Sequence, residues 1–337
     1  MSRITVLGSG SWGTAIALSL ARKGGHEIFL WSHRVETAES LSLHRENRHF
    51  LPGFPFPEGL SVTADDAQAV AAADILVCAV PSEFLRPAMM RLAPHLHAGQ
   101  ILISTTKGLE DHSFLRMTEV IDGCVREAGL TLPVGALSGP SFAQEVAAGM
   151  PTAVTIAFSD PAVAAFVQRE FSGPTLRLYT NNDVIGVEMG GALKNVIAIA
   201  AGVLAGLGLG LNSAAGLITR GIAETTRLAV AAGGQRETLS GLSGVGDLVL
   251  TCTGSLSRNR SVGFELGRGR RLPDILAGLD GKVAEGVRTT RAALGLARKL
   301  GVEMPITEQM ELILDGGKDP EEAVRDLMLR PGRDEED

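Results

Sequence analysis

Short apolar runs and amphipathic stretches alternate along the first half of the chain. "ITVLG", from Ile4 to Gly8, leads into a helix-like Ser11–Lys23, and "EIFLW" into Val35–Glu46. "DILVCAV" is followed by Glu83–Leu92, and "QILISTT" by a predicted helix near Phe114–Ala128. Three further runs follow, "VGALSG", "TAVTIAF" and "LRLYT". Uninterrupted Val/Ile/Leu runs mark strands covered on both faces, and parallel neighbours of that kind need a crossover, usually helical. A doubly wound α/β domain is therefore expected over residues 1–185. Beyond Asp183 strand-like runs become scarce, and alanine, leucine and glycine recur at helical spacing. A mostly α-helical domain is expected over 186–330, followed by an acidic tail, 331–337, that should be disordered. No internal repeat of fixed period appears.

A chain of 337 residues is long for one core, which agrees with two domains. The formal charge is −7 and basic stretches are short. Nucleic acid is not expected as a partner, because backbone binding needs a concentrated basic surface. A small anion held by a few local cations is compatible with that charge. Cys78, Cys124 and Cys252 are far apart and form no CxxC, so each is expected to be a small buried residue in a reducing compartment. The start passes directly into a strand pattern, without a charged and then apolar leader. "VIAIAAGVLAGLGLGL", Val196 to Leu211, falls short of the roughly 20 residues that span a bilayer and is rich in glycine. It is expected to be a buried helix rather than a membrane insertion, and the protein to be cytoplasmic.

Candidate chemistry begins at the first turn. Gly8, Gly10 and Gly13 form G-x-G-x-x-G between a strand and a helix. In a Rossmann-type unit the first glycine permits the turn, the second lets the backbone approach a pyrophosphate, and the third lets helix pack on strand. A mere tight turn is the bland alternative. The second strand ends in "WSHR", where an acid would bind the ribose of NAD; Arg34 could instead pair with a 2′-phosphate. That points to NADPH, with NADH left open, unless Arg34 is only a solvated helix-start residue. Lys107, in "TTKGL", lies just past a buried strand, where such sheets place ligands, although a surface lysine would look the same. Gly139-Pro140-Ser141 ends another strand and opens a helix, so its amides and the Ser141 hydroxyl could face an anion or simply cap the helix. Lys194 and Asn195 sit at the edge of a strongly apolar helix, where a desolvated lysine is suited to give up a proton. Ser257-Arg258-Asn259-Arg260 should begin a further helix, with Ser257 as cap and Arg258 and Asn259 available to a phosphate. His95 and His97 form a short pair without a Cys/His cluster, so no metal is expected.

With "GSGSWGTA", "TTKGL", "SGPSFA", "LKNVIAIAAG" and "GDLVLTCTGSLSRNR" in order, essentially the whole chain resembles the bacterial NAD(P)-dependent glycerol-3-phosphate dehydrogenases. The resemblance implies reversible reduction of dihydroxyacetone phosphate to sn-glycerol 3-phosphate, a phospholipid precursor. It implies Lys194 as general acid/base, and Lys107, at the interface of the two domains, as a contact of both cofactor and substrate. Gly139, Ser141, Asp247, Ser257, Arg258 and Asn259 match the family's substrate positions. Ser11, Trp12, His33, Arg34, Phe50 and Ala143 match its cofactor side, and Val283, Glu285 and Arg258 close over the dinucleotide. Phe50 stands where relatives often carry an aromatic hydroxyl. Asp247 could orient the lysine or hold a substrate hydroxyl. A homodimer is also implied. Two other readings stay open: a related two-domain reductase of a carboxylate-bearing keto substrate, and a dinucleotide-sensing regulatory protein without catalysis.

Overall fold

The computed structural model describes residues 2–279, 283–332 and 334–335. The chain divides into two compact units, one of Met1–Lys107 with Leu115–Val184, the other of Gly108–Phe114 with Ile185–Asp337.

In the first unit the chain runs β1 (Ser2–Leu7), α1 (Ser11–Lys23), β2 (His26–Trp31), α2 (Val35–His44), β3 (Glu46–Asn47), β4 (Leu51–Pro55), β5 (Leu60–Thr63), α3 (Asp66–Val70), β6 (Ile75–Cys78) and α4 (Ser82–Leu92). It continues through β7 (Ile101–Ser104), α5 (Met117–Glu127), β8 (Val134–Ser138), α6 (Ala143–Ala147), β9 (Thr152–Ala157), α7 (Pro161–Phe171) and β10 (Leu176–Asn181). Eight strands form one sheet in the order β10-β9-β8-β7-β6-β1-β2-β5. The sheet is doubly wound because successive residues of a strand face opposite sides. Ile4 and Val6, Ile75 and Val77, and Ile103 join a core with α1, α6 and α7, whereas Leu7, Leu76, Cys78 and Leu102 join a second core with α3, α4 and α5. Both sides being covered, the strands read as unbroken apolar runs.

The structure departs from the sequence pattern in three places. All neighbours in the sheet pair in parallel except β8 and β9, so β9 and β10 run against the rest. A strand buried on both faces carries no mark of its direction. The β3–β4 hairpin and β5 are additional, short and proline-flanked, with too few apolar residues to stand out. The helix after β7 begins at Met117, because Phe114 has φ 61° and cannot be helical. Glu119 accepts from the Arg116 N–H at 2.8 Å and closes the helix's first turn.

The second unit contains α8 (Val184–Gly206), α9 (Leu211–Ala231), α10 (Arg236–Leu239), α11 (Asp247–Thr253), α12 (Arg258–Gly267), α13 (Leu272–Ala277), α14 (Glu285–Leu300), α15 (Pro305–Leu314) and α16 (Pro320–Met328), and no strand among the described residues. By length and composition α8 could cross a membrane, but its apolar window is 89% buried within the protein, as expected of a core helix. Its glycines let α12 approach backbone to backbone. A Cβ on Gly202 would lie 2.0 Å from the Arg260 carbonyl oxygen, and one on Gly263 1.9 Å from that of Ile199. Gly206 and Gly267, one turn further along each helix, are equally closed in. Glu224 of α9 accepts from the N–H groups of Ile306 and Thr307 at 2.8 and 2.9 Å and so caps α15 from the side.

All three cysteines are buried and free, and burial pushes the Cys78 and Cys252 thiols up to about 12. The tail at 331–337 lies partly outside the described residues; within it, the Glu335 carbonyl accepts from Arg220 at 2.8 Å.

Gly263→Ala should lower the urea midpoint of unfolding by an amount equivalent to about 3 kcal/mol, the upper end for overpacking, because only backbone surrounds the new methyl. Gly216→Ala, on the exposed face of α9 with nothing near its Cβ, should instead leave stability unchanged or raise it by up to about 1 kcal/mol.

Candidate functional site

The turn from β1 into α1 is built around its glycines. Gly8 has φ 119°, and a Cβ there would meet the Ala79 carbonyl oxygen at 2.8 Å. A Cβ on Gly13 would come within 1.9 Å of the Gly8 oxygen, so the helix seats directly on the turn. Gly10 has open space where a Cβ would stand, and it occupies the N-cap position of α1 with no side-chain cap. A thirteen-residue helix thus starts with its first N–H groups unclaimed by any capping side chain, beside a glycine that admits close approach. These features fit a dinucleotide pyrophosphate. Ser11 donates its hydroxyl proton to the Phe50 carbonyl at 2.8 Å, which joins two residues of the expected cofactor side. Phe50 thereby contributes through its backbone, which any residue type could do. The Trp12 indole N–H is shielded and has no hydrogen-bond partner.

At the end of β2, Arg34 donates from Nε to His33 Nε2 at 3.2 Å, and both side chains are exposed. Partial burial, then the charges of Arg34 and Arg91, lower the His33 pKa. The sequence pattern did not single out Arg91 or Asp66, which complete this corner. Asp66 is a carboxylate near the strand end, but Trp31 Nε1 donates to its Oδ1 at 3.0 Å and Arg91 Nε to its Oδ2 at 2.5 Å. Both of its oxygens are engaged. Arg91 also reaches the His33 carbonyl at 3.3 Å and lies 5.5 Å over the Trp31 ring.

Lys107 and Ser141 converge within the same unit. The Lys107 ammonium donates to the Gly139 carbonyl at 3.1 Å, and the Ser141 hydroxyl donates to that same oxygen at 2.9 Å. Ser141 is not a helix cap: α6 starts at Ala143 with Phe142 at the N-cap and runs only five residues. The five-residue helix adds little dipole, and the Lys107 ammonium brings a positive charge beside it. The His97 imidazole meets the Ala98 carbonyl through Nδ1 at 2.9 Å, and no cluster of three metal-ligating side chains occurs among the described residues.

In the helical unit Lys194 lies well inside α8, not at an edge, and is 7% exposed; Asn195 is 5% exposed. The ammonium meets Asp247 Oδ1 at 2.8 Å and donates to Thr251 Oγ1 at 2.7 Å. Thr251 gives its own proton to the Asp247 carbonyl at 2.7 Å, one helical turn back, which leaves its oxygen lone pairs to the lysine. Thr251 escaped the sequence pattern, although its spacing of four from Asp247 puts both on one face of α11. Asp247, 1% exposed, contacts the lysine. Ser257 caps α12 by accepting the Arg260 N–H at 3.2 Å. Asn259 is engaged at both ends of its amide: Nδ2 donates to Asn195 Oδ1 at 2.9 Å and Oδ1 accepts the Gly286 N–H at 3.0 Å. Arg258 opens α12 on its exposed side, where surrounding protein lowers its pKa and Glu285 opposes that shift. Glu285 begins α14 just after Val283, which is half-buried.

A glycine turn with an uncapped helix in an α/β unit, and a buried lysine–carboxylate pair in a helical unit, define the class of dinucleotide-dependent oxidoreductases. Residues 3–164 match the family model for the NAD-dependent glycerol-3-phosphate dehydrogenase N-terminus, and residues 183–325 match that for its C-terminus. The chain belongs to the NAD-dependent glycerol-3-phosphate dehydrogenase family. It is 62% identical over 99% of its length to the whole of a glycerol-3-phosphate dehydrogenase (NAD(P)+) of Acidobacterium capsulatum. It is 55% identical to that of Koribacter versatilis, over 99% of both chains. The crystal structure of the Coxiella burnetii glycerol-3-phosphate dehydrogenase superposes with a TM-score of 0.92 at 40% identity, covering 98% of this chain and 99% of that one.

Asp247→Ala should destabilise the protein by about 3–5 kcal/mol in urea unfolding, because it strands a buried ammonium. Lys194→Met combined with Asp247→Leu should recover much of that loss, since the charge disappears with its partner.

Proposed function

We propose that the chain catalyses the reversible NAD(P)H-dependent reduction of dihydroxyacetone phosphate to sn-glycerol 3-phosphate. The observation that carries this is the buried Lys194–Asp247–Thr251 constellation in a chain 62% identical, end to end, to a glycerol-3-phosphate dehydrogenase. A bound reduced nicotinamide supplies a hydride to the ketone carbon. The carbonyl π electrons then move onto oxygen, and Lys194 Nζ gives that oxygen a proton. In the reverse direction the amine takes the hydroxyl proton. Asp247 orients the amine and balances its charge, and Thr251 fixes the direction of one N–H. Lys107 stabilises negative charge electrostatically. Gly139, Ser141, Ser257, Arg258 and Asn259 form the substrate set; Arg258 holds the phosphate, whose binding energy orients the ketone.

The first helical turn of α1, with Gly8, Gly10, Ser11, Trp12 and Gly13, receives the pyrophosphate, and Phe50, Ala143, Val283 and Glu285 complete the cofactor side. Arg34 and His33 select the 2′-phosphate of NADPH. Support for that choice comes from Asp66, whose two oxygens already accept from Trp31 Nε1 and Arg91 Nε, so that its charge is matched by Arg91 rather than left to a 2′-hydroxyl. The chain acts on small molecules without a metal, as a homodimer in the cytoplasm. Reduction of a carboxylate-bearing keto acid is not favoured, given the family match over both units.

Steady-state assays with both coenzymes, comparing dihydroxyacetone phosphate with 2-oxo and 3-oxo acids, test the activity; a better oxo-acid substrate would overturn it. Lys194→Met should bind coenzyme but lose kcat by roughly 10³-fold or more, the scale of general-acid and orientation effects together. Arg34→Ala should raise the Kd for NADPH by about tenfold, the worth of a charge-assisted contact, and leave NADH within twofold. An equal effect on both coenzymes would remove Arg34 from the 2′-phosphate.

A further inference from the structure

Asn47 has no place in the roles above, yet it is 2% exposed and all of its amide is used. Its Nδ2 donates to the Ser9 carbonyl and to Thr14 Oγ1, each at 2.8 Å, and its Oδ1 accepts the Phe50 N–H at 3.1 Å. One side chain thus ties the middle of the glycine turn, the first turns of α1 and the β3–β4 hairpin together. The Ser11 hydroxyl, bonded to the Phe50 carbonyl, closes the same contact a second time.

The consequence follows from peptide geometry. No peptide bond is cis, and in a planar trans peptide the C=O and the following N–H point in opposite directions. Drawing the Ser9 carbonyl to Asn47 therefore turns the Gly10 N–H away from that side chain, and open space lies where a Cβ on Gly10 would stand. The Gly10 carbonyl accepts the Thr14 N–H at 2.9 Å, which fixes the next peptide plane as well. We propose that Asn47 is a positioning residue for the dinucleotide: it sets the Ser9–Gly10 peptide so that the Gly10 N–H meets the pyrophosphate. The inference rests on the dinucleotide reading above. The position calls for two donors on one short side chain. Aspartate cannot donate and would set its charge against the Ser9 oxygen, and an apolar residue would leave that oxygen free to turn.

The experiment is calorimetric binding of ADP-ribose to the full-length protein and to Asn47→Ala, Asn47→Asp and Thr14→Val, each with its unfolding midpoint. ADP-ribose carries the pyrophosphate without the nicotinamide. The unsubstituted protein must bind it; failure there overturns the dinucleotide reading itself. The Asn47 variants should lose affinity roughly tenfold or more, the worth of one hydrogen bond to a charged group. Thr14→Val removes the other acceptor of Asn47 and should lower the midpoint with less than a twofold change in affinity. Unchanged binding in a folded Asn47 variant, or an equal loss in Thr14→Val, would overturn the inference. Should the Asn47 variants not fold, the ¹⁵N-resolved Gly10 amide of the unsubstituted protein decides: ADP-ribose should shift it and slow its hydrogen exchange, and an unmoved Gly10 amide would overturn the assignment.

Discussion

A charged amine inside an apolar helix is the constraint on which the helical unit depends. Removing an ammonium from water costs several kcal/mol even after relaxation. Lys194 meets that cost with a carboxylate oxygen at 2.8 Å and a hydroxyl at 2.7 Å, both from α11. The helix must therefore lie against α8 in one register, since neither partner reaches the lysine if α11 slides by a residue. The backbone before α11 is shaped to allow this. Gly244, within a π-type turn over Leu242–Gly246, would clash with the Leu239 oxygen at 1.9 Å if it had a Cβ. Gly190 of α8 admits the Ser243 oxygen in the same way, at 2.5 Å. Gly244 and Gly190 thus admit the close backbone approach that leads into α11 and its carboxylate.

That dependence explains what was legible in the chain and what was not. Element order in the α/β unit followed from apolar runs, because burial on both faces writes itself into successive residues of β1, β6 and β7. Strand direction did not, since β9 and β8 bury the same kinds of residue whichever way they point. Lys194 stood out as a lone cation in an apolar stretch, but its depth in α8 was hidden: helical periodicity fails when nearly every face is buried. Asp247 was legible in its motif. Thr251, four residues on, was not, because a threonine in a helix commonly bonds its own backbone and shows its second role only when a lysine arrives from elsewhere in the chain.

Buried amides do comparable work in both units. Asn259 accepts from the Gly286 backbone N–H and donates to Asn195 Oδ1, so one side chain of α12 ties the start of α14 to α8. Asn47 ties a hairpin to a helix start in the same manner. In sequence an asparagine reads as a turn former or a surface residue, and its use as a short two-ended strut depends on contacts up to 64 residues distant. Ser257 is the opposite case: the cap it makes is local, and the local pattern disclosed it.

The two kinds of charge follow from the same dielectric reasoning. Lys194 is enclosed, where a neighbouring carboxylate interacts strongly and solvent screens little, so its environment is set by a few fixed atoms. His33, Arg34 and Arg91 stand exposed on a chain of net charge −7, where each contact is weakened by water and salt. An exposed site gains selectivity for a phosphate through several cations held at once. Asp66 and the Trp31 ring hold Arg91 beside His33, which limits the side-chain entropy lost when an anion arrives. An enclosed charge is thus governed by its few fixed neighbours, and an exposed cluster by water and salt. In the sequence the enclosed charge shows as a lysine within an apolar stretch, and the exposed cluster as basic residues at a strand end.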